Sequence, residues 1–379
     1  MAGSALSNPE VIVVGAGAAG AAAAFHLSHR GRRVLLLEGE SMPRAKPCGG
    51  GMAASVQRWF PFDLAPAVDQ VIREVRFTWC LEDPVTAVLP GDSPFWIVNR
   101  SRLDALISQQ AVQLGCELQD RSPVETIQRD GAGWRVTAAG RSSWAPVLVL
   151  ADGSASPFSV PLGLGSPRPR FASAVAVEVE AEVRDPAAAR FEFGLVRHGF
   201  CWAFPRQGGY SIGVGSFIGR EAVDADAVLA QLLPSLGISR EAGQRRQSPL
   251  RVWDGHHPLH TERAVVVGDA ASLCDPFLAE GLRPALLSGV RAAEAVDRFL
   301  AGDAGALESY STVMRAQWGD SMAWGRRIAQ VFYRVPKVGY QIGIKRPTAP
   351  QRIAQILSGE MGYGDIAQRV IKRLLFQRG

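Results

Sequence analysis

The stretch EVIVVGAGAAGAAAAFHLSHRGRRVLLLE, Glu10–Glu38, decides the fold of this 379-residue chain. EVIVV (10–14) is a short apolar, β-branched run that ends at glycine, and it reads as a buried parallel strand. Residues 16–27 are rich in alanine, the strongest helix former, and read as a helix that Gly31 ends. VLLLE (34–38) reads as a second strand, and strand, helix and strand together are the core of a doubly wound α/β sheet. Between the first strand and the helix, Gly15-Ala16-Gly17-Ala18-Ala19-Gly20 is GxGxxG. Gly15 permits the tight turn, Gly17 lets the backbone approach a pyrophosphate, and Gly20 lets helix and strand close on each other. The helix N-terminus adds N–H donors and the positive end of its dipole. Glu38 lies about 20 residues on, where a carboxylate accepts from both hydroxyls of an adenosine ribose and disfavours a 2′-phosphate.

Working outward, residues 41–51 (SMPRAKPCGGG) hold two prolines and three consecutive glycines and read as a loop. Residues 102–114 fit an amphipathic helix. PVLVLA (146–151) and AVVV (264–267) are two more buried strands, leading into Asp152-Gly153 and Gly268-Asp269. The middle of the chain differs. Residues 171–183 alternate Val or Ala with Glu, the period of a half-exposed strand. Residues 191–196, 200–204 and 209–217 are further short strands bounded by glycine. This pattern predicts a Rossmann-like dinucleotide-binding domain (1–75, 100–165 and 255–310) with an inserted antiparallel-sheet α+β domain (76–99 and 166–254) for substrate. Residues 285–315 and 351–376 read as helices, and 311–379 as a helical C-terminal segment.

The composition, 47% apolar and 20% charged, excludes a disordered or collagen-like chain. Five scattered cysteines form no CxxC pair, which points to a reducing, cytoplasmic compartment and no structural zinc. His256, His257 and His260 lack Cys, Asp or Glu at ligand spacing and read as a surface loop, so no metal is expected. Ser154 and Ser156 follow Asp152-Gly153 without GxSxG, so they are no nucleophile elbow. Residues 1–8 lack the basic start and apolar stretch of a secretory signal, and no run of about 18 apolar residues spans a membrane. Charge is uneven: the chain is +5 overall, but residues 326–379 carry eleven Lys/Arg against Glu360 and Asp365. That end is compatible with a solvated helical face or an anionic membrane surface. Tyr333, Tyr340 and Ile344 interleave there with Arg334, Lys337 and Lys345, as at a lipid interface. Nucleic acid is not expected, since no nucleic-acid fold signature is present.

The order of the remaining motifs carries a resemblance. Arg100 with Leu103-Asp104 in VNRSRLDALI, then ADG at 151–153, then VVVGDAASLCDPFLAEGLRPALLSG from Val265, resembles FAD-dependent oxidoreductases of the aromatic-hydroxylase superfamily. Within it, four stretches are similar to the geranylgeranyl reductase family: PRAKPCGGGM (Pro43–Met52), GFCWAFP (Gly199–Pro205), DPFLAEGL (Asp275–Leu282) and the tail ending DIAQRVIKRLL. One departure is Ala279, where that family usually has glycine.

The resemblance implies FAD contacts at Ala19, Glu38, Arg44, Cys48, Gly49, Arg100, Val124, Asp269, Gly281 and Leu282, beside the glycines Gly15, Gly17 and Gly20. Asp269 would face the ribityl chain, and the helix starting near Gly281 would point its N-terminus at the flavin ring. Cys48, next to Lys46 and Arg44, is the implied catalytic residue near the flavin. Phe200, Trp202 and Phe204 would line an isoprenoid tunnel. The expected activity is saturation of C=C bonds in a geranylgeranyl or other polyprenyl chain by hydride transfer from reduced flavin, with NADPH or ferredoxin as electron donor. An FAD-dependent monooxygenase or halogenase acting on an aromatic, and a non-catalytic FAD-binding subunit, are the alternatives.

Overall fold

Val11–Val14 carries no polar side chain, and its backbone polar groups are met by parallel neighbours on both edges. A computed structural model describes residues 8–92, 94–218 and 223–376 of the chain. The elements run β1 (Val11–Val14), α1 (Ala18–His29), β2 (Val34–Leu37), β3 (Gly51–Ala53), β4 (Val68–Ile72), β5 (Glu74–Trp79), β6 (Glu82–Val88) and β7 (Phe95–Val98). Next come α2 (Arg100–Gln113), β8 (Glu117–Gln119), β9 (Val124–Asp130), β10 (Gly133–Ala138), β11 (Arg141–Ala145) and β12 (Val147–Leu150). The middle holds β13 (Arg170–Glu180), β14 (Ala188–Phe193), β15 (Gly199–Arg206), β16 (Gly209–Ser216), α3 (Ala225–Ser235) and β17 (Gln244–Val252). The chain ends with β18 (Ala264–Val266), α4 (Leu282–Leu300), α5 (Ala306–Met314), α6 (Asp320–Arg334), α7 (Pro336–Gly339), α8 (Ala349–Leu357) and α9 (Tyr363–Phe376).

The first sheet has the order β18-β12-β1-β2-β8 and is parallel throughout. Its strands come from three widely separated stretches, so the sheet is assembled from distant sequence. Helix α1 packs on it and on α2 and α4. The contact with α4 is close because Gly289 has no side chain: a Cβ there would lie 2.3 Å from the Ala19 carbonyl oxygen. The doubly wound reading of Glu10–Glu38 is what the structure shows.

The second large sheet has the order β17-β13-β16-β15-β14-β5-β6 and is antiparallel except for the β14–β5 pair. Register places Ala174 opposite Gly215 and Ala176 opposite Gly213, and these glycines face Phe200 and Trp202 on β15. Period-two alternation therefore puts two alanines, two glycines and the β15 aromatics on one sheet face.

The C-terminal part departs from expectation. Residues 285–315 form two helices, because Gly302 (φ +103°) ends α4 before α5 begins. A π-helical turn (Arg315–Gly319) then joins α5 to α6. Residues 351–376 are likewise split, at Gly359 (φ +79°). Tyr333, Tyr340 and Ile344 do not face outward; all three are buried. Tyr333 donates its hydroxyl to the Phe277 carbonyl (2.9 Å), and Tyr340 donates to the carbonyls of Asp83 (2.7 Å) and Phe77 (3.1 Å). Those carbonyls give the phenols hydrogen-bond partners inside, so the opposite side of the segment is exposed instead. Arg378 lies outside the described residues. Among the described residues no helix is long and apolar enough to cross a membrane.

Candidate active site

The glycine turn is built as its spacing requires. Gly15 sits at φ +97°, and a Cβ there would come within 2.5 Å of the Ala151 carbonyl oxygen, so only glycine lets the turn close on the Asp152-Gly153 loop. A Cβ on Gly20 would fall 1.8 Å from the Gly15 carbonyl oxygen. Gly17 is open, with only Arg44 Nη2 near a notional Cβ, at 3.3 Å. Buried Glu38 accepts from the Ala16 N–H (2.8 Å) and the Glu40 N–H (3.1 Å), which ties the end of β2 to the turn. Arg44 bridges Glu38 (3.3 Å) and the fully buried Asp104 (3.7 Å).

One cleft gathers residues from the loops and helix starts that follow the parallel strands, from the seven-stranded sheet and from α4. Gly17, Ala19, Cys48, Gly49, Arg100, Asp269, Gly281 and Leu282 line it, and so do Phe200, Trp202 and Phe204. The structure thus brings most of the expected cofactor residues and all three expected substrate residues to one space. Gly15, Gly20, Glu38 and Arg44 are not among its lining and belong to the glycine turn and the residues that brace it. Val124 begins β9 in a separate three-stranded sheet and does not line the cleft.

Asp269 is held by Lys46 (3.5 Å), and the Gly268 N–H donates to Ser288 Oγ (2.9 Å). Gly281 precedes α4, a 19-residue helix whose start has no side-chain cap. Its free N–H groups and positive dipole end therefore face the cleft. Cys48 Sγ accepts from the Gly50 N–H (3.3 Å). Arg100 is buried beside it and pairs with Asp104 at 2.8 Å and 3.1 Å. Burial opposes the charge of Arg100, but the Asp104 carboxylate outweighs it and holds the guanidinium protonated. Trp202 Nε1–H is buried without a protein partner, and it lies 3.2 Å from where a Cβ on Gly49 would be.

Several residues take roles that the sequence did not assign to them. Arg251 on β17 donates to Ser159 Oγ (2.7 Å) and to the carbonyls of Ser156 (2.6 Å) and Ala270 (3.2 Å). It straps the antiparallel sheet to both dinucleotide loops, and one arginine among 37 could not be singled out. Asp152 is half-buried with both carboxylate oxygens closed off from solvent, and desolvation, only partly offset by Ser156 and a backbone N–H, raises its pKa to about 6. Asp275 accepts from the N–H groups of Phe277 (2.6 Å) and Leu278 (3.1 Å) and from Tyr363 Oη–H (2.6 Å). Burial raises the pKa of Asp275 and of Glu280, whose other attachment is Arg283 at 2.9 Å. Ala279, in the same turn, has φ +56°. The three histidines each have a different partner: Asp320 for His256, Asp254 for His257 and Ser311 for His260.

A glycine cradle, an uncapped helix start and an unmet indole N–H in one cleft fit a flavin dinucleotide, and they define this as a dinucleotide-binding α/β protein. The model of the DAO family, FAD-dependent oxidoreductases, matches residues 10–82 and 88–298, and the chain belongs to that family. It is 28% identical over 365 residues to the menaquinone reductase of Mycolicibacterium smegmatis, covering 85% of this chain and 84% of that one. It is 28% identical over 310 residues to digeranylgeranylglycerophospholipid reductase 2 of Methanothermobacter thermautotrophicus, covering 76% and 78%. A solved structure of a geranylgeranyl bacteriochlorophyll reductase-like protein from Thermoplasma acidophilum superposes with a TM-score of 0.79 at 19% identity, covering 93% and 92%. The same fold also carries flavin-dependent halogenases.

Proposed function

We propose that the protein is an FAD-dependent reductase that saturates C=C bonds of a geranylgeranyl or similar polyprenyl chain. The observation that carries this reading is the continuity of the cleft. It runs from the glycine turn into a compartment walled by Phe191, Phe200, Trp202 and Phe217 over a floor of Ala174 and Ala176. Such walls exclude water and accept hydrocarbon. Gly17, Ala19, Asp269 and Gly281 would hold FAD in this cleft, and the reduced cofactor would supply hydride for one alkene carbon. An isolated alkene is not polarised, so the protein must orient it, keep water away and deliver a proton to the other carbon.

The proton source follows from the cleft's side chains. Its carboxylates, Asp269 and Glu280, are each paired with a cation, Lys46 and Arg283. Cys48 lines the cleft between the phosphate turn and the aromatic wall and has no carboxylate partner, so it is the group we assign as proton donor. NADPH or ferredoxin would deliver electrons transiently, since the sequence has no second dinucleotide fingerprint. The reductase names of two relatives support the reading.

A halogenase would be expected to carry Trp-x-Trp-x-Ile-Pro, whereas Trp202 stands alone in Trp202-Ala203-Phe204-Pro205. Anaerobic turnover of a polyprenyl panel by chemically reduced enzyme, read by product mass, tests the proposal. A gain of two hydrogens per event is expected. No gain on any polyprenyl compound, with oxygen consumed on an aromatic substrate, would transfer the assignment to the monooxygenase class.

A further inference from the structure

Between Asp320 and Glu360 the chain has no carboxylate and seven cations. This segment comprises α6, α7, a second π-helical turn (Tyr340–Ile344) and α8. It also holds four of the most exposed large apolar side chains: Val331, Val335, Val338 and Ile342 are 70%, 47%, 52% and 51% exposed. They follow one another every three or four residues along the chain, with the buried Phe332, Tyr333 and Tyr340 between them and the buried Ile344 after them, and the helix is interrupted among them at Val335 (φ −133°, ψ 65°). Exposed Arg334, Lys337 and Arg346 have no carboxylate partner among the described residues, whereas Lys345 is paired with Asp83 at 2.6 Å. Four exposed aliphatic side chains within twelve residues, among free cations, are a costly thing to leave in water.

We propose that this face seats the protein on an anionic lipid bilayer, with the four aliphatic side chains entering the acyl boundary and the cations meeting lipid phosphates. Charge decides the occupant. A second copy would bring two such cationic surfaces together, and a neutral apolar partner would leave the cations unused. The buried side of the segment supplies the link to the cleft. Phe332 and Tyr340 pack on Phe193 (ring centroids 5.4 and 6.2 Å), Phe193 on Phe200 (5.8 Å), and Phe200 forms the cleft wall. The surface that meets lipid is thus backed by aromatics continuous with the compartment assigned to the polyprenyl chain. The purpose of docking rests on the polyprenyl-reductase reading; the docking itself does not.

The test is sedimentation of the FAD-loaded protein with vesicles of phosphatidylcholine alone, or with about one-third phosphatidylglycerol, at about 0.15 M salt. Partition onto the anionic vesicles is expected, with little onto the neutral ones. Replacing both free cations, R334Q/K337Q, should weaken it about 20- to 30-fold. V335D/I342D should abolish it while leaving the flavin spectrum and melting temperature unchanged, since both positions are exposed. Equal partition onto both vesicles, absence of partition, or variants that sediment like the parent would overturn the proposal. So would a dimer that V335D/I342D dissociates, which would assign the face to a second copy. Vesicle binding that persists in a protein inactive on every polyprenyl compound would overturn only the assigned reaction.

Discussion

Ala279 is an L-residue held at φ +56°, a region that only glycine enters without steric cost. It lines the cleft in the turn before α4, so its methyl group falls at a strained position. A279G should raise stability by about 1 kcal/mol, read by chemical denaturation, and leave the flavin spectrum in place. Unchanged or lower stability would mean that the surrounding turn has relaxed the strain. Asp152 permits a second test at this scale. Its folded pKa of about 6 is above the usual carboxylate value, mainly through desolvation. Between about pH 4 and pH 6 the folded protein therefore holds a proton that the unfolded chain has released. This group's contribution to stability falls as pH rises through that window, and the destabilisation is complete above it. D152N removes the titration, so its stability relative to the parent should climb by about 2–3 kcal/mol from pH 3.5 to pH 7. A flat difference would mean that Asp152 stays ionised.

At the scale of elements, the compartment is made by strand register. Ala174 and Ala176 on β13 face the cleft because neighbours two apart share a sheet face, and Gly213 and Gly215 on β16 leave room beside them. Trp202 lies over Gly213, where a Cβ would meet its ring at 2.0 Å. Filling this floor should shorten the chain that fits. A174L is expected to lower turnover of a twenty-carbon polyprenyl substrate about tenfold or more while FAD content stays unchanged, measured by anaerobic product formation. Full activity on the long chain would mean that the substrate does not run along this face.

Across the whole molecule, buried bonds fasten the C-terminal helices to the cleft, and one comes from the last helix. Tyr363 at the start of α9 donates to Asp275, whose turn carries Ala279, Gly281 and the first residue of α4. The two ends of this link are 88 residues apart. Y363F leaves a buried carboxylate oxygen without its donor and should cost about 1–3 kcal/mol. It should also speed amide exchange in residues 349–376. Parent-like stability and exchange would show that packing on Gly325 and Phe277 holds the helix unaided. The same assembly explains the outward turn of Val331 and Ile342, since carbonyls contributed by other parts of the chain took up the tyrosine hydroxyls.

The nucleotide turn was legible because its constraints are local. The φ of +97° at Gly15 and the approach of Gly20 to the Gly15 carbonyl are set within six residues, and an apolar strand beside an alanine-rich helix announces its own burial. The cleft's aromatic residues and late Gly268-Asp269 turn were legible too, through motif order. Residues whose roles depend on distant partners were not. Arg251 strapping two loops, Tyr363 locking Asp275, and the exposed side of residues 331–342 are matters of which surfaces meet. Local sequence decides which segments form helices and strands. Only the folded chain decides which side of a helix finds hydrogen-bond partners inside, and so which side is left for water or lipid.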